Sequence, residues 1–150
     1  MKILIATHGR FASGIKSSVE LLTGKGDKIC CIDAYVEQDG KTVGDADIPA
    51  EMERFFAQTA PEEETVVFTD LKGGSVNSRV MELIPPGRKV FLVSGFNLPM
   101  VLEVVMAEED EPITGQTLQS ALEMCRESMV LVPPLWEREN AGSEEESFFA

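Results

Sequence analysis

Ile3-Leu4-Ile5-Ala6-Thr7-His8-Gly9, followed by Phe11, Ile15, Val19 and Leu22, reads as a strand, a tight exit and a helix. The first four residues are continuously apolar, as expected of a strand covered on both faces. The next apolar residues recur at helical spacing, and Gly24 closes that helix. The same alternation continues along the chain. Ile29 to Ile32, Val66 to Phe68 and Val90 to Val93 are the further strands expected. Between them, Asp47 is placed to cap a helix carrying Ile48, Met52, Phe55 and Phe56, with Pro49 in its first turn. Ser75 is placed to cap another carrying Val76, Val80, Leu83 and Ile84, ended by Pro85-Pro86-Gly87. Asp39-Gly40 marks a turn in the polar connection after the second strand.

Strands alternating with helices imply an α/β fold: one doubly wound, mostly parallel sheet with helices on both faces. Met100 to Ala107 is apolar on nearly all sides and is expected to be deeply buried. Leu118, Leu122, Cys125 and Met129 mark a last helical face. Met129 to Val132 is expected to close the sheet as a final strand, with an antiparallel setting open to it. We expect one domain over residues 1–134 and a frayed acidic tail over 135–150.

Composition narrows the class. The 150 residues are 43% hydrophobic, enough for one real core. No apolar run approaches the length of a membrane span, and the N-terminus does not resemble a signal peptide. A cytoplasmic protein is expected. The three cysteines, Cys30, Cys31 and Cys125, form no disulfide framework, and the adjacent pair should point to opposite faces of a strand. The net charge of −13 should repel nucleic acid and anionic lipid. That excess sits in Glu62-Glu63-Glu64, Glu108-Glu109-Asp110-Glu111 and Glu144-Glu145-Glu146, read as solvated loops and tail.

In open sheets of this kind ligands bind beyond the carboxyl ends of the strands. Three informative stretches lie there: Thr7-His8-Gly9, then Thr69-Asp70-Leu71-Lys72-Gly73-Gly74-Ser75, then Ser94-Gly95-Phe96-Asn97-Leu98-Pro99-Met100. His8 is the sole histidine, at a strand end where a side chain should be accessible. Gly9 beside it would let another molecule approach. Asp70, at an equivalent end, could hold one imidazole nitrogen and leave the other as a nucleophile; a helix-capping or loop aspartate is an equal reading on spacing alone. Gly73-Gly74-Ser75 at a helix N-terminus would favour an anion, although a Gly-Gly pair is often only a turn. A nucleophilic histidine beside an anion nest is what phosphoryl transfer requires. There is no G-x-S-x-G elbow, no P-loop and no G-x-G-x-x-G. No cofactor is expected, and a single histidine without clustered cysteines makes no metal site.

ILIATHG (residues 3–9), TDLKGGSVN (69–77) and SGFNLPM (94–100) together resemble the IIA domain of the mannose family of the sugar phosphotransferase system. The resemblance covers roughly residues 1 to 132. It implies that His8 carries phosphate on Nε2 and that Asp70 binds the other nitrogen. It further implies that Thr7, Gly9, Gly73, Gly74 and Ser75 surround the phosphoryl group. Arg10, Lys72, Asn97, Pro99 and Met100 are then candidates for partner contact. The phosphocarrier HPr would be the donor and a IIB protein the acceptor, with the membrane components IIC and IID acting later on the sugar. A homodimer is implied, in some members by exchange of the final strand, which Met129 to Val132 matches. Two positions depart from the family: Val76 stands where some members have proline, and Lys72 where a bulky residue is usual. The chain ends without a IIB domain, so a separate IIB polypeptide is expected. Alternatives are a phosphorylation-dependent regulatory module and a phosphoryl donor to a dihydroxyacetone kinase.

Overall fold

A computed structural model describes residues 1–38, 41–42, 47–107 and 111–138. In chain order the elements are β1 (Lys2–His8), α1 (Phe11–Thr23), β2 (Ile29–Ala34), β3 (Glu37–Gln38), β4 (Lys41–Thr42) and α2 (Ile48–Ala57). Then come β5 (Thr65–Thr69), α3 (Ser75–Leu83), β6 (Val90–Ser94), α4 (Leu98–Met106), α5 (Gly115–Glu127) and α6 (Leu135–Arg138). The main sheet has the order β2-β1-β5-β6, and every pairing in it is parallel. β1 is interior to the sheet, with β2 and β5 on its edges and helices over both faces, and Ile3 to Thr7 are all at most 1% exposed.

The apolar alternation sorts into two layers. Ile3, Ile5, Val66 and Phe68 face α1, α4 and α5 through Ile15, Val19, Val101, Val105 and Leu118. Leu4, Ala6, Ile32 and Val67 face α2 and α3 through Ile48, Met52, Phe55, Val76 and Val80. Helices thus cover both faces, as the doubly wound reading requires. Cys31 packs with the first layer and Cys30 with the second, on opposite faces of β2. Burial pushes the Cys31 thiol up to about 11, despite the opposing pull of Lys16, so it stays protonated.

Several expectations are corrected. Met129 to Val132 forms no strand, antiparallel or otherwise, and the sheet ends at β6. A strand exists by pairing, and Pro133-Pro134 directly after it supply no N–H donors. These four residues stay exposed, Leu131 at 91%. Met129 accordingly lies beyond α5 and off its buried face. Residues 135–138 form α6 where a frayed tail was expected; residues 139–150 lie outside the described residues. Leu22 is exposed, and the buried face of α1 is Ala12, Ile15 and Val19. Within α4 the buried face is Met100, Val101, Val104 and Val105, while Met106 is exposed. Asp47 stands at the N-cap of α2, but its side chain makes no capping bond. The Asp39-Gly40 turn lies outside the described residues; the segments flanking it, β3 and β4, pair antiparallel. Glu108 to Asp110 and Glu144 to Glu146 also fall outside them.

Candidate functional site

β1 pairs with β2 on one side and with β5 on the other, so the chain reverses its direction of travel across the sheet between β1 and β5. That switch point opens a crevice at the carboxyl ends of two adjacent strands. His8 is the last residue of β1, and Asp70 directly follows β5. The register sets Ala6 against Thr69, which brings the two side chains together.

One oxygen of Asp70, Oδ2, accepts the backbone N–H of His8 at 2.8 Å and lies 2.9 Å from the ring Nδ1. The other, Oδ1, accepts from the Leu71 N–H at 2.9 Å. A carboxylate can only accept here, so Nδ1 carries the ring proton and Nε2 keeps its lone pair. Partial burial pushes the Asp70 carboxyl up, but the backbone and ring donors of His8, the charge of the ring and the Leu71 N–H together hold it below its ordinary value. The sign of the pH effect follows. A carboxylate depressed in the folded state adds stability above the ordinary value of 3.8, lost as pH falls through the folded value. In urea unfolding across pH 7 to 3 (roughly the span that brackets a carboxylate), the parent's advantage over Asp70→Asn should shrink below that value. A pH-independent gap would show that ionisation of Asp70 is not the source.

Nε2 faces Ser75, whose Oγ is 3.2 Å away. Ser75 is the first residue of α3, and Gly74 is its N-cap, so the expected Ser75 cap is corrected. The serine hydroxyl is thereby left for the imidazole. Gly74 packs against the ring: a Cβ there would lie 3.7 Å from His8 Cε1 and 3.1 Å from Leu71 Cβ. The glycine amides turn inward. Gly73 N–H donates to Asn77 Oδ1 at 2.9 Å and Gly74 N–H to Leu71 O at 3.0 Å. At the start of α3 only Ser75 is exposed; Val76 and Asn77 behind it are buried, so an anion there would meet Ser75 rather than a row of first-turn amides.

The remaining expected residues divide. Gly9 turns the chain at φ 61° and donates its N–H to Ala34 O. Thr7 is fully buried, and its Oγ1 accepts from Ala12 N–H, so it sets the start of α1 and is not open to a ligand. Met100 is 2% exposed, which corrects its candidacy as a partner contact. Asn97 caps α4 by accepting from Met100 N–H and donates to Cys125 O and to Ser128 Oγ, so it ties two helices together. Pro99 is half-buried, and Arg10 and Lys72 are exposed.

Three residues went unread. Asn77 is buried and donates to Thr69 Oγ1, which in turn donates to Ser94 Oγ; this chain fixes the glycine loop on β5 and β6. Asp33 accepts from Ser13 N–H and pins α1 to the end of β2. Tyr35, just after β2, lies 5.5 Å from the His8 ring, centroid to centroid, and its hydroxyl is 3.1 Å from Ser75 Oγ. The strand-end rule covers β2 as well and would have found the last two.

Fold and site define a doubly wound α/β domain that presents one histidine, oriented by a carboxylate, at the switch point of its sheet. A sequence model described as PTS system fructose IIA component matches residues 2–122, and the chain belongs to that family, the EIIA components of the sugar phosphotransferase system. It is 28% identical over 130 residues to the PTS system mannose-specific EIIAB component of Escherichia coli K12, covering 85% of this chain. It spans 38% of the length of that relative. Among solved structures it is similar to a protein from Klebsiella pneumoniae assigned to a phosphoenolpyruvate-dependent sugar phosphotransferase system permease. There the identity is 31% and the TM-score 0.70, over 87% of this chain and 89% of that one. It is also similar to phosphotransferase system component EIIA of Streptococcus agalactiae, at 25% identity and TM-score 0.69, over 87% and 95%. Among the described residues no helix is long and apolar enough to cross a membrane.

Proposed function

We propose that this EIIA component is a phosphocarrier that accepts a phosphoryl group from HPr on His8 Nε2 and passes it to IIB. The observation that carries the reading is the Asp70 carboxylate on Nδ1, which leaves Nε2 with its lone pair, facing the exposed Ser75 hydroxyl. In the acceptance step that lone pair attacks phosphorus. The bond from phosphorus to the donor breaks, and its electron pair leaves with the donor. The imidazole becomes cationic, and Asp70 stabilises that charge through Nδ1–H. Ser75, exposed at the start of α3, supplies a donor to the phosphoryl oxygens. Transfer to IIB runs the same step in reverse. The reading places the protein in the cytoplasm, upstream of membrane IIC and IID, with residues 1–134 as the working domain. Relatives that are mannose-specific EIIAB components support the sugar branch over a dihydroxyacetone kinase. The test is incubation with HPr, its kinase and phosphoenolpyruvate, then mass mapping. Label on His8 is expected; label elsewhere, or none, refutes it.

The same reading includes a homodimer. A single chain leaves Met129, Val130, Leu131 and Val132 exposed and β6 as an edge strand of the sheet, two features that invite association. Truncation after Glu127 is expected to give an unstable or aggregating protein. It also removes Ser128, the hydroxyl that Asn97 holds. Truncation after Leu135 should leave the assembly intact. Light scattering on both decides: a stable, fully active monomer from the shorter chain contradicts the dimer.

A further inference from the structure

We propose that Tyr35 is a positioning residue for phosphoryl transfer at His8, acting through the proton of Ser75. The inference rests on the phosphocarrier reading above. Three polar groups stand in line: Tyr35 hydroxyl to Ser75 Oγ at 3.1 Å, and Ser75 Oγ to His8 Nε2 at 3.2 Å. The direction of this chain is set from its far end. Asp70 accepts from Nδ1–H, so Nε2 of the neutral ring can only accept. Ser75 must therefore donate its single proton to Nε2, and its oxygen is left to accept. Tyr35 is the donor that fills it. The two bonds polarise one another, because Ser75 accepts in one and donates in the other.

The backbone at Tyr35 argues for a selected position. Tyr35 is the one non-glycine residue among those described with positive φ, at 62°. An aromatic residue rarely adopts that conformation unless its surroundings hold it there. Here it brings the ring beside the imidazole, tilted by 31°, and the hydroxyl onto Ser75. When the bond from Nε2 to phosphorus forms, the lone pair is consumed. The Ser75 O–H, keeping its proton, then turns to donate to a phosphoryl oxygen, while Tyr35 continues to donate to Ser75. Without the Tyr35 hydroxyl, the serine proton is free to rotate toward water, and transfer starts from a less ordered site.

Tyr35→Phe keeps the ring and removes only the hydroxyl. Single-turnover acceptance from phosphorylated HPr should slow roughly 2- to 13-fold, the range for one neutral hydrogen bond. In a Ser75→Ala background the same change should have no further effect, because the role passes through Ser75. A second readout uses the unphosphorylated protein. At a pH where the ring is neutral, the nitrogen-15 resonance of His8 Nε2 should move in Tyr35→Phe toward that of an unbonded lone pair. An unchanged resonance with normal labelling overturns the role of Tyr35 alone. Equal slowing with and without Ser75 also overturns it, since a merely structural tyrosine would behave so. Failure of the parent itself to take label overturns the phosphocarrier reading and this role with it.

Discussion

His8→Ala is expected to abolish phosphoryl acceptance and to leave the fold intact. The chain has no second histidine to take over the reaction. The variant should fold because the ring is a surface group, with its side chain 37% exposed. What it gives up is two ring hydrogen bonds, to Asp70 and Ser75, and the ring's packing beside Tyr35 and Gly74. The main-chain bond from residue 8 to Asp70 remains, as does the bond from Leu71 N–H. The carboxylate is thus still paired, and no buried charge is orphaned. Circular dichroism and thermal unfolding close to the parent, with no acid-labile label, are the expected results. Persistent acid-labile labelling would sink the assignment of His8.

Asp70→Asn should fold but transfer phosphate more slowly. The carboxylate accepts on both oxygens, from His8 on one and from Leu71 on the other. An amide has one oxygen, so one of these faces must present an N–H₂ group. If the oxygen faces His8, the amide nitrogen meets Leu71 N–H, donor against donor. If it faces Leu71, the ring is driven to the tautomer with its proton on Nε2, which blocks the nucleophile. In either case the cationic ring loses its counter-charge. A loss of about 1.5–3 kcal/mol, that of a charged hydrogen bond, slows the step roughly 13- to 160-fold. Single-turnover rates equal to the parent's would show that Asp70 is only a structural residue.

The crevice was legible because it lies at the ends of apolar runs. His8, Asp70 and Ser75 each follow such a run, and the parallel sheet brings them together. What was missed depends on side-chain direction. Apolar reading ended β2 at Ile32, whereas the strand continues to Ala34, so Asp33 and Tyr35 were left in a connection. The glycine amides were expected to face a ligand, but Asn77 takes one from within and Leu71 O the other. Thr7 was placed around the phosphoryl group by the family resemblance, yet strand alternation turns it inward. Met129 to Val132 has the composition of a strand, but composition does not supply a neighbour to pair with.

The bond from His8 to Asp70 joins residues 62 positions apart, across the β1–β5 pairing. During synthesis, β1, α1 and β2 can form a unit well before residue 70 emerges, because parallel neighbours need only their own crossover. The nascent half-domain therefore carries its imidazole with no carboxylate to select the tautomer. Long-range parallel pairing is slow to form, so maturation of the nucleophile waits on the arrival of β5. On the phosphocarrier reading, chemical competence is thus tied to completion of the sheet, because the carboxylate that selects the tautomer arrives only with the end of β5.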